Sequence, residues 1–496
     1  MRLSILFTLL AISIMTSISA QHVCGNIAST IDVDRLLSNK KAVENGISVR
    51  SNNTIYVPIT FHIVSDANGD GGIDEDLVAA QLCRLNQDFE PLDMVFYLKN
   101  QTFNYVNHNS LFTSPTSASG GARMSIEKGS AGTNSVNIFI TQNAQTGGLG
   151  TTLGYYDPSL DVIVIRRDQI NSTTLVLAHE IGHFFSLLHV FNGWDAQAWD
   201  ANIHGNPVNS QFSPGGVRNE LADGSNCNIS GDFICDTEAD YNLGFGWAGC
   251  TEYGGGCQDF NGEDLDPEES NFMSYFIGCQ QYIFSETQQD IVLADYNSPG
   301  RAFLNVGVVP NTGELSEPVI TGPEDGATLS TFNDLTLDWE DVPNAVGYVV
   351  GVKRLLTEQK FFVTESYLNP GELESGKRYT WRVMPVSEIG GCVGFSDPLE
   401  FTTGTVSSST EFELKGINLR NTLVNSGQVF IESEENRNVN INLYNVSGQL
   451  MQHTNQSISQ GVNTIDLLNG LTTGMYFLNI ADSDNLSKTF KIVVSN

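Results

Sequence analysis

Basic residues are scarce in this chain: 24 Lys and Arg stand against 57 Asp and Glu, a formal net charge of −33 over 496 residues. That deficit excludes a nucleic-acid-binding surface and one adapted to anionic membranes, since both demand clustered cations. It suits a soluble exported protein, either through solubility alone or through calcium binding. Long apolar runs are also missing. Beyond residue 20 no stretch stays apolar for the ~18 residues a membrane-crossing helix needs, so no transmembrane segment is expected. The 8 cysteines include no close Cys-x-x-Cys pair, which excludes a zinc ribbon. Histidine is rare as well, 8 in all, yet three of them fall within the eleven positions from His179 to His189.

That stretch reads His179-Glu180-Ile181-Gly182-His183-Phe184-Phe185-Ser186-Leu187-Leu188-His189. On a helix, residues four apart lie one turn above each other, so the imidazoles of His179 and His183 reach one ion. Glu180 projects beside them, placed to touch a water activated by the metal without ligating the metal itself. Past a chain reversal, His189 supplies a third nitrogen. Three neutral nitrogens leave a fourth position open, which is the arrangement of a catalytic zinc site. Asn171-Ser172-Thr173-Thr174 reads as the helix start, and Leu175, Ala178, Ile181 and Phe185 as its core-facing stripe.

The pattern resembles the metzincin metalloproteases, whose signature is HExxHxxGxxH followed by a methionine turn. Asn271-Phe272-Met273-Ser274-Tyr275 is similar to that turn. The resemblance implies that Met273 forms an apolar floor under the metal and that Tyr275 stabilises the tetrahedral intermediate. Gly231-Asp232-Phe233-Ile234-Cys235-Asp236-Thr237 narrows the likeness to the pappalysin family in its cytophagalysin-like branch. The family's usual glycine is Ser186 here, at a position where the chain leaves the helix with a positive φ. Serine there costs on the order of 1 kcal/mol. The same resemblance pairs Cys227 with Cys257 and Cys250 with Cys279, leaving Cys235 without an assigned partner. Asp232 and Asp236 are candidates for a calcium site or for bracing the histidines. The stretch from Tyr275 to Tyr282 contains no acid.

The expected architecture is multidomain: an α+β metzincin-like catalytic domain followed by two all-β sandwich domains. Residues 1–20 read as a signal peptide, from Arg2 through an apolar core to Ser19-Ala20. Residues 21–52 read as a propeptide in which Cys24-Gly25 resembles the cysteine switch of zymogenic metalloproteases, a thiolate filling the open metal position. The alternative for Cys24 is a disulfide, to Cys83. Residues 53–305 form the protease domain, opening with the alternating strand Ile55–Val64 and a helix from Asp76 to Phe89. Asp66–Gly72 has calcium-loop oxygen spacing but lacks the closing glutamate, and a plain turn is the stronger reading. Val136–Ile140 and Val162–Ile165 are buried strands.

Residues 316–404 resemble a fibronectin type III module, with Leu373, Gly376 and Tyr379 at the corner before a late strand. The simplest role for this unit is a spacer, and its lone Cys392 is expected to be unpaired. Residues 412–496 end in the strands Gly474–Ile480 and Lys488–Val494 and resemble the type A sorting domain of the type IX secretion system. The whole reads as a secreted or surface-attached zinc endopeptidase acting on peptide bonds with Glu180 as general base. Its implied partners are protein or peptide substrates and the type IX machinery. Two alternatives are an adhesion or binding protein whose metzincin domain is inactive, and a zinc hydrolase of a non-peptide substrate.

Overall fold

The computed structural model describes residues 22–46, 53–145, 151–405, 414–424, 427–467, 471–482 and 486–495. The expected signal peptide lies outside these. The chain builds a mixed α/β part followed by two all-β parts.

The first part is a seven-stranded sheet made of β1 (His22–Cys24), β2 (Ile55–Ser65), β3 (Met94–Leu98), β4 (Asn104–Asn107), β5 (Val136–Thr141), β6 (Thr151–Asp157) and β7 (Val162–Arg166). The order is β1-β6-β7-β5-β2-β3, with β4 also on β2. Every pairing is parallel except β6 with β7. Strands covered on both faces need apolar side chains on both, and β5 is buried along its whole length. The helix expected at 76–89 is α2, Glu75–Asp88. Asp66–Gly72 is a turn in which Asp66 Oδ1 accepts from the amides of Asn68 and Asp70. The helices α3 (Asn109–Thr113) and α4 (Ala118–Ser130) cover the far side of the sheet, and α5 (Val176–Phe184) carries the histidine motif.

A titratable ring sits inside this core, held by buried amides. His62 on β2 has no exposed surface, lies flat on Phe139 with ring centroids 4.0 Å apart, and has both ring nitrogens engaged. Nε2 meets Asn137 Oδ1 at 2.9 Å, and Nδ1 accepts from Asn104 Nδ2 at 2.8 Å. A second ring proton would face an amide donor, and burial, with the charge of Lys99 and against the bond to Asn137, pushes the imidazole pKa down to about 4. The unfolded chain, with a histidine pKa of about 6.5, therefore binds more protons between pH 6.5 and 4. Stability conferred by the neutral ring is complete above pH 6.5 and is lost as pH falls towards 4, by up to roughly 3 kcal/mol. The expected result is that His62→Gln flattens the fall in unfolding free energy over this window relative to the parent chain. Denaturant titrations at pH 7 and pH 4.5 measure the difference, and equal slopes in the two proteins would refute it.

Residues 190 to 284 are mostly irregular, with the short helix α6 (Ala201–His204), and they lead to α7 (Glu286–Tyr296). The cysteines here correct the expected pairing. Cys227 is joined to Cys235, with 5.1 Å between their Cα atoms, and not to Cys257. Gly231 and Phe233, both at positive φ, fold the intervening segment back on itself. Cys257 is a buried free thiol beside its own hairpin, where Leu265 N donates to its carbonyl. Cys250 is joined to Cys279.

Residues 320–402 form a sandwich of a three-stranded and a five-stranded sheet around Trp339, Trp381 and Tyr348. Tyr379 turns its hydroxyl back to accept from Glu374 N at 2.9 Å, across a corner where Gly376 has φ +64. This unit packs closely on the first part, bolted to α2. Cys392 is bonded to Cys83, so it is not unpaired. Gly391 N donates to Ala79 O at 2.9 Å, Asn86 Nδ2 to Ile389 O at 3.0 Å, and Leu98 N to Glu388 O at 2.7 Å. Gly390 has φ +105, and a Cβ there would stand 2.6 Å from Ala79 O, so only glycine allows this approach. Val349, Phe362, Met384 and Val386 belong to the main core.

Residues 417–494 form a second sandwich, of three and five strands. It reaches the first part through Arg420, a buried partner of Glu75, and through Asn107 Nδ2, which donates to Val462 O at 2.6 Å.

Candidate active site and metal centre

The helix α5 begins at Val176, later than the Asn/Ser/Thr run suggests. Asn171 Oδ1 instead accepts from Thr173 N at 2.9 Å, closing a turn before the helix. Gln81 of α2 holds that turn by accepting from Asn171 N at 3.1 Å. At the other end Ser186 takes φ +72, the left-handed conformation expected at this position, and the chain reverses to bring His189 back.

Each histidine is oriented through Nδ1. His179 faces Phe272 O at 2.6 Å, His183 faces Leu187 O at 2.8 Å, and His189 faces Asp195 Oδ1 at 2.6 Å. An acceptor opposite Nδ1 fixes the proton there in the neutral ring, so each Nε2 presents a bare lone pair. Burial, with the neighbouring imidazoles, lowers the pKa of His179 to about 3 and that of His183 well below its ordinary value, which keeps both rings neutral. Yet Nε2 of His189 lies 3.2 Å from that of His179 and 3.1 Å from that of His183. Lone pairs so close repel one another unless a cation sits among them. Cys24 completes the group: one donor atom from each of the four residues lies within 4.8 Å of all the others. Three imidazoles and a thiol fit a metal ion.

Glu180 is fully buried, and its oxygens make no hydrogen bond of ordinary geometry among the described residues. Burial pushes its pKa up to about 8. Gly154 of β6 leaves it room, since a Cβ there would stand 3.2 Å from Glu180 Oε1. Met273 lies under the helix between the two histidine turns, so close that a Cβ on Gly182 would stand 2.5 Å from its sulfur. The Tyr275 hydroxyl donates to Cys24 O at 3.0 Å, and its ring meets those of His189 and Phe191.

Asp195 is the residue that the sequence reading missed. Its only signal is an acid six positions after the last histidine. Neither Asp232 nor Asp236 braces a histidine: Asp232 accepts from Ile234 N and Thr237 Oγ1, and Asp236 caps the start of α7 through Ser285 and Thr287.

The segment around Cys24 is anchored throughout. β1 runs parallel along the edge of β6, with Cys24 opposite Gly154. After it comes α1 (Thr30–Glu44), opened by a reciprocal Ser29–Asp32 cap. Arg35 Nε donates to Asp295 Oδ1 at 2.8 Å, Asn39 to Ser186 Oγ at 2.9 Å, and Lys40 to Phe233 O at 2.6 Å.

A sheet with its histidine helix beneath, a buried carboxylate and a methionine turn together define a metalloprotease-like fold and site. Comparison with known proteins agrees. The chain is 26% identical over 238 residues to an extracellular metalloprotease of Arthroderma benhamiae, spanning 43% of this chain and 76% of that protein. It is 25% identical over 292 residues to one of Colletotrichum graminicola, spanning 54% and 85%. Among solved structures, a promirolysin mutant of Tannerella forsythia is similar at 16% identity and a TM-score of 0.37, covering 57% of this chain and 97% of that one. Residues 425–495 match the secretion system C-terminal sorting domain family. The chain is thus a secreted or cell-surface protein with homologues among extracellular metalloproteases, and no described helix is long and apolar enough to cross a membrane.

Proposed function

We propose that this chain is a latent zinc endopeptidase of the pappalysin type, exported by a type IX secretion system. The observation that carries the reading is the convergence of three bare Nε2 atoms whose Nδ1 protons are all committed elsewhere. His179, His183 and His189 would hold one zinc ion, a borderline-soft cation suited to imidazole and thiolate. When bound, zinc supplies Lewis acidity that polarises a carbonyl and makes water acidic near neutral pH. Glu180 accepts the proton of the attacking water and passes it to the departing amine. Gly154, opposite Cys24 on the edge strand, marks where an extended substrate lies against β6 by adding a strand. Once Cys24 has left, the Tyr275 hydroxyl is free to donate to the oxygen that gains charge at the attacked carbon. The protease, module and sorting units are assigned to 53–305, 316–404 and 412–496.

Two measurements test this reading. The purified chain is expected to contain one zinc per molecule, and its processed form to hydrolyse casein until a chelator is added, with recovery on zinc return. Metal-free protein with full activity would end the proposal.

Latency follows from Cys24. The Cys24→Ala full chain is expected to cleave casein without processing, at least about tenfold faster than the unprocessed parent, because no thiol fills the fourth position. The anchors at Arg35, Asn39 and Lys40 remain in this variant, so equal latency in the two chains would assign the block to the helix and not to the thiol.

A further inference from the structure

A cavity of about 250 Å³ opens beside the histidines, between the start of α5, the edge strand β6 and the segment after Met273. Its apolar walls are Leu153, Leu175, Val176, Tyr275, Phe276 and Ile277. Cys24 of β1 also lines it, and the hydroxyls of Thr173, Thr174 and Ser274 are already committed. Thr173 Oγ1 donates to Asn171 Oδ1 at 2.6 Å, Thr174 Oγ1 to Gln169 O at 2.6 Å, and Ser274 Oγ to Asp240 Oδ2 at 2.9 Å. Glu180 is the one carboxylate among the lining residues, and it belongs to the histidine end.

The direction of β6 says which part of a substrate reaches this cavity. Leu153 faces it, whereas Tyr155 and Tyr156 face the cleft on the other side, beside His183 and His189. Gly154, opposite Cys24, lies between the two. Antiparallel pairing is slightly more stable and more common than parallel. An extended chain that adds antiparallel to β6 runs from the Tyr156 end towards the Leu153 end. With its scissile bond beside Glu180, the residue after that bond points into the cavity.

We propose that this cavity selects the residue following the scissile bond, accepting a medium-sized apolar side chain such as Leu, Ile, Val, Met or Phe and rejecting Arg and Lys. The proposal rests on the peptidase reading above. A guanidinium or ammonium placed there would be buried without a partner, which is heavily penalised. Among apolar side chains, one methylene in such a pocket changes discrimination by roughly 10- to 200-fold.

The zinc-loaded processed chain, freed of the N-terminal segment whose strand β1 covers β6, is incubated with a proteome-derived peptide library and is expected to show apolar residues enriched after the cut. Arg and Lys should be depleted at that position by at least about tenfold relative to their library frequency. Dominant Arg or Lys after the cut overturns the proposal, as does selectivity confined to the residue before it. A binding arm separates failure of the pocket from failure of the peptidase reading. With Glu180→Ala added, calorimetry compares two short peptides identical except for Leu or Arg as first residue. The Leu peptide is expected to bind at least about tenfold tighter. Equal affinity, or no binding of either, refutes the pocket; absent cleavage with this preference intact counts against the peptidase reading alone. Finally, Ile277 is 51% exposed and tolerates a charge, so Ile277→Asp should admit Arg and Lys after the cut, and an unchanged profile removes Ile277 from the wall.

Discussion

Replacing Glu180 by alanine is expected to leave zinc bound stoichiometrically and to lower turnover by 10²- to 10⁴-fold or more, the usual effect of deleting a general base. The physical case lies in what surrounds the carboxylate. A buried acid without ordinary hydrogen bonds costs stability. Its place beside three lone pairs makes sense if it works on a proton. On the proposed assignment Glu180 is not a ligand, so its loss should not release the metal, whereas His183→Ala should. Casein hydrolysis and metal content, measured on the same Glu180→Ala preparation, decide the matter. Wild-type turnover with zinc in place would show that another group moves the proton.

Truncation after residue 405 should be as decisive in a different assay. Without residues 425–495, which match the secretion system sorting family, the protein is expected to accumulate inside the outer membrane while the full chain appears outside. The deletion also removes Arg420 from Glu75, a buried ion pair. Taking one partner from such a pair is costly only while the other stays desolvated. Here the whole covering unit leaves, water reaches Glu75, and the protease should stay folded and, once processed, active. Cell fractionation followed by zymography distinguishes the outcomes, and normal appearance of the truncated protein in the medium would sink the export assignment.

How far the sequence could be read depended on how local each signal was. The histidine helix was legible because its spacing is a property of one turn, and the strand at Ile55–Ser65 because alternation needs no partner. Met273 was legible only by likeness, since nothing local says that a methionine 90 positions after His183 packs against Gly182. The helix Thr30–Glu44 escaped because its inward face is polar: it buries Asn39 and Lys40 beside Leu36, so no apolar stripe marks it. Only the Ser29–Asp32 cap betrayed it. Asp195 was invisible because an acid in an irregular loop has no period. Cysteine partners could not be deduced, because spacing constrains connectivity very little. The mistaken Cys227–Cys257 pairing came from likeness, whereas Cys227–Cys235 depends on positive φ at Gly231 and Phe233.

The bond between Cys83 and Cys392 has a mechanical meaning. It closes a covalent loop with a sequence separation of 309, and the histidine helix, the segment around Met273 and most of the first sandwich lie inside it. If the C-terminal tail is pulled, as export by that tail would do, tension entering at Cys392 crosses the sulfur bridge to Cys83 and leaves through the N-terminal strands. The histidines at 179, 183 and 189 are off this load path. A thread drawn from its end can therefore haul the histidine cluster along without straining it.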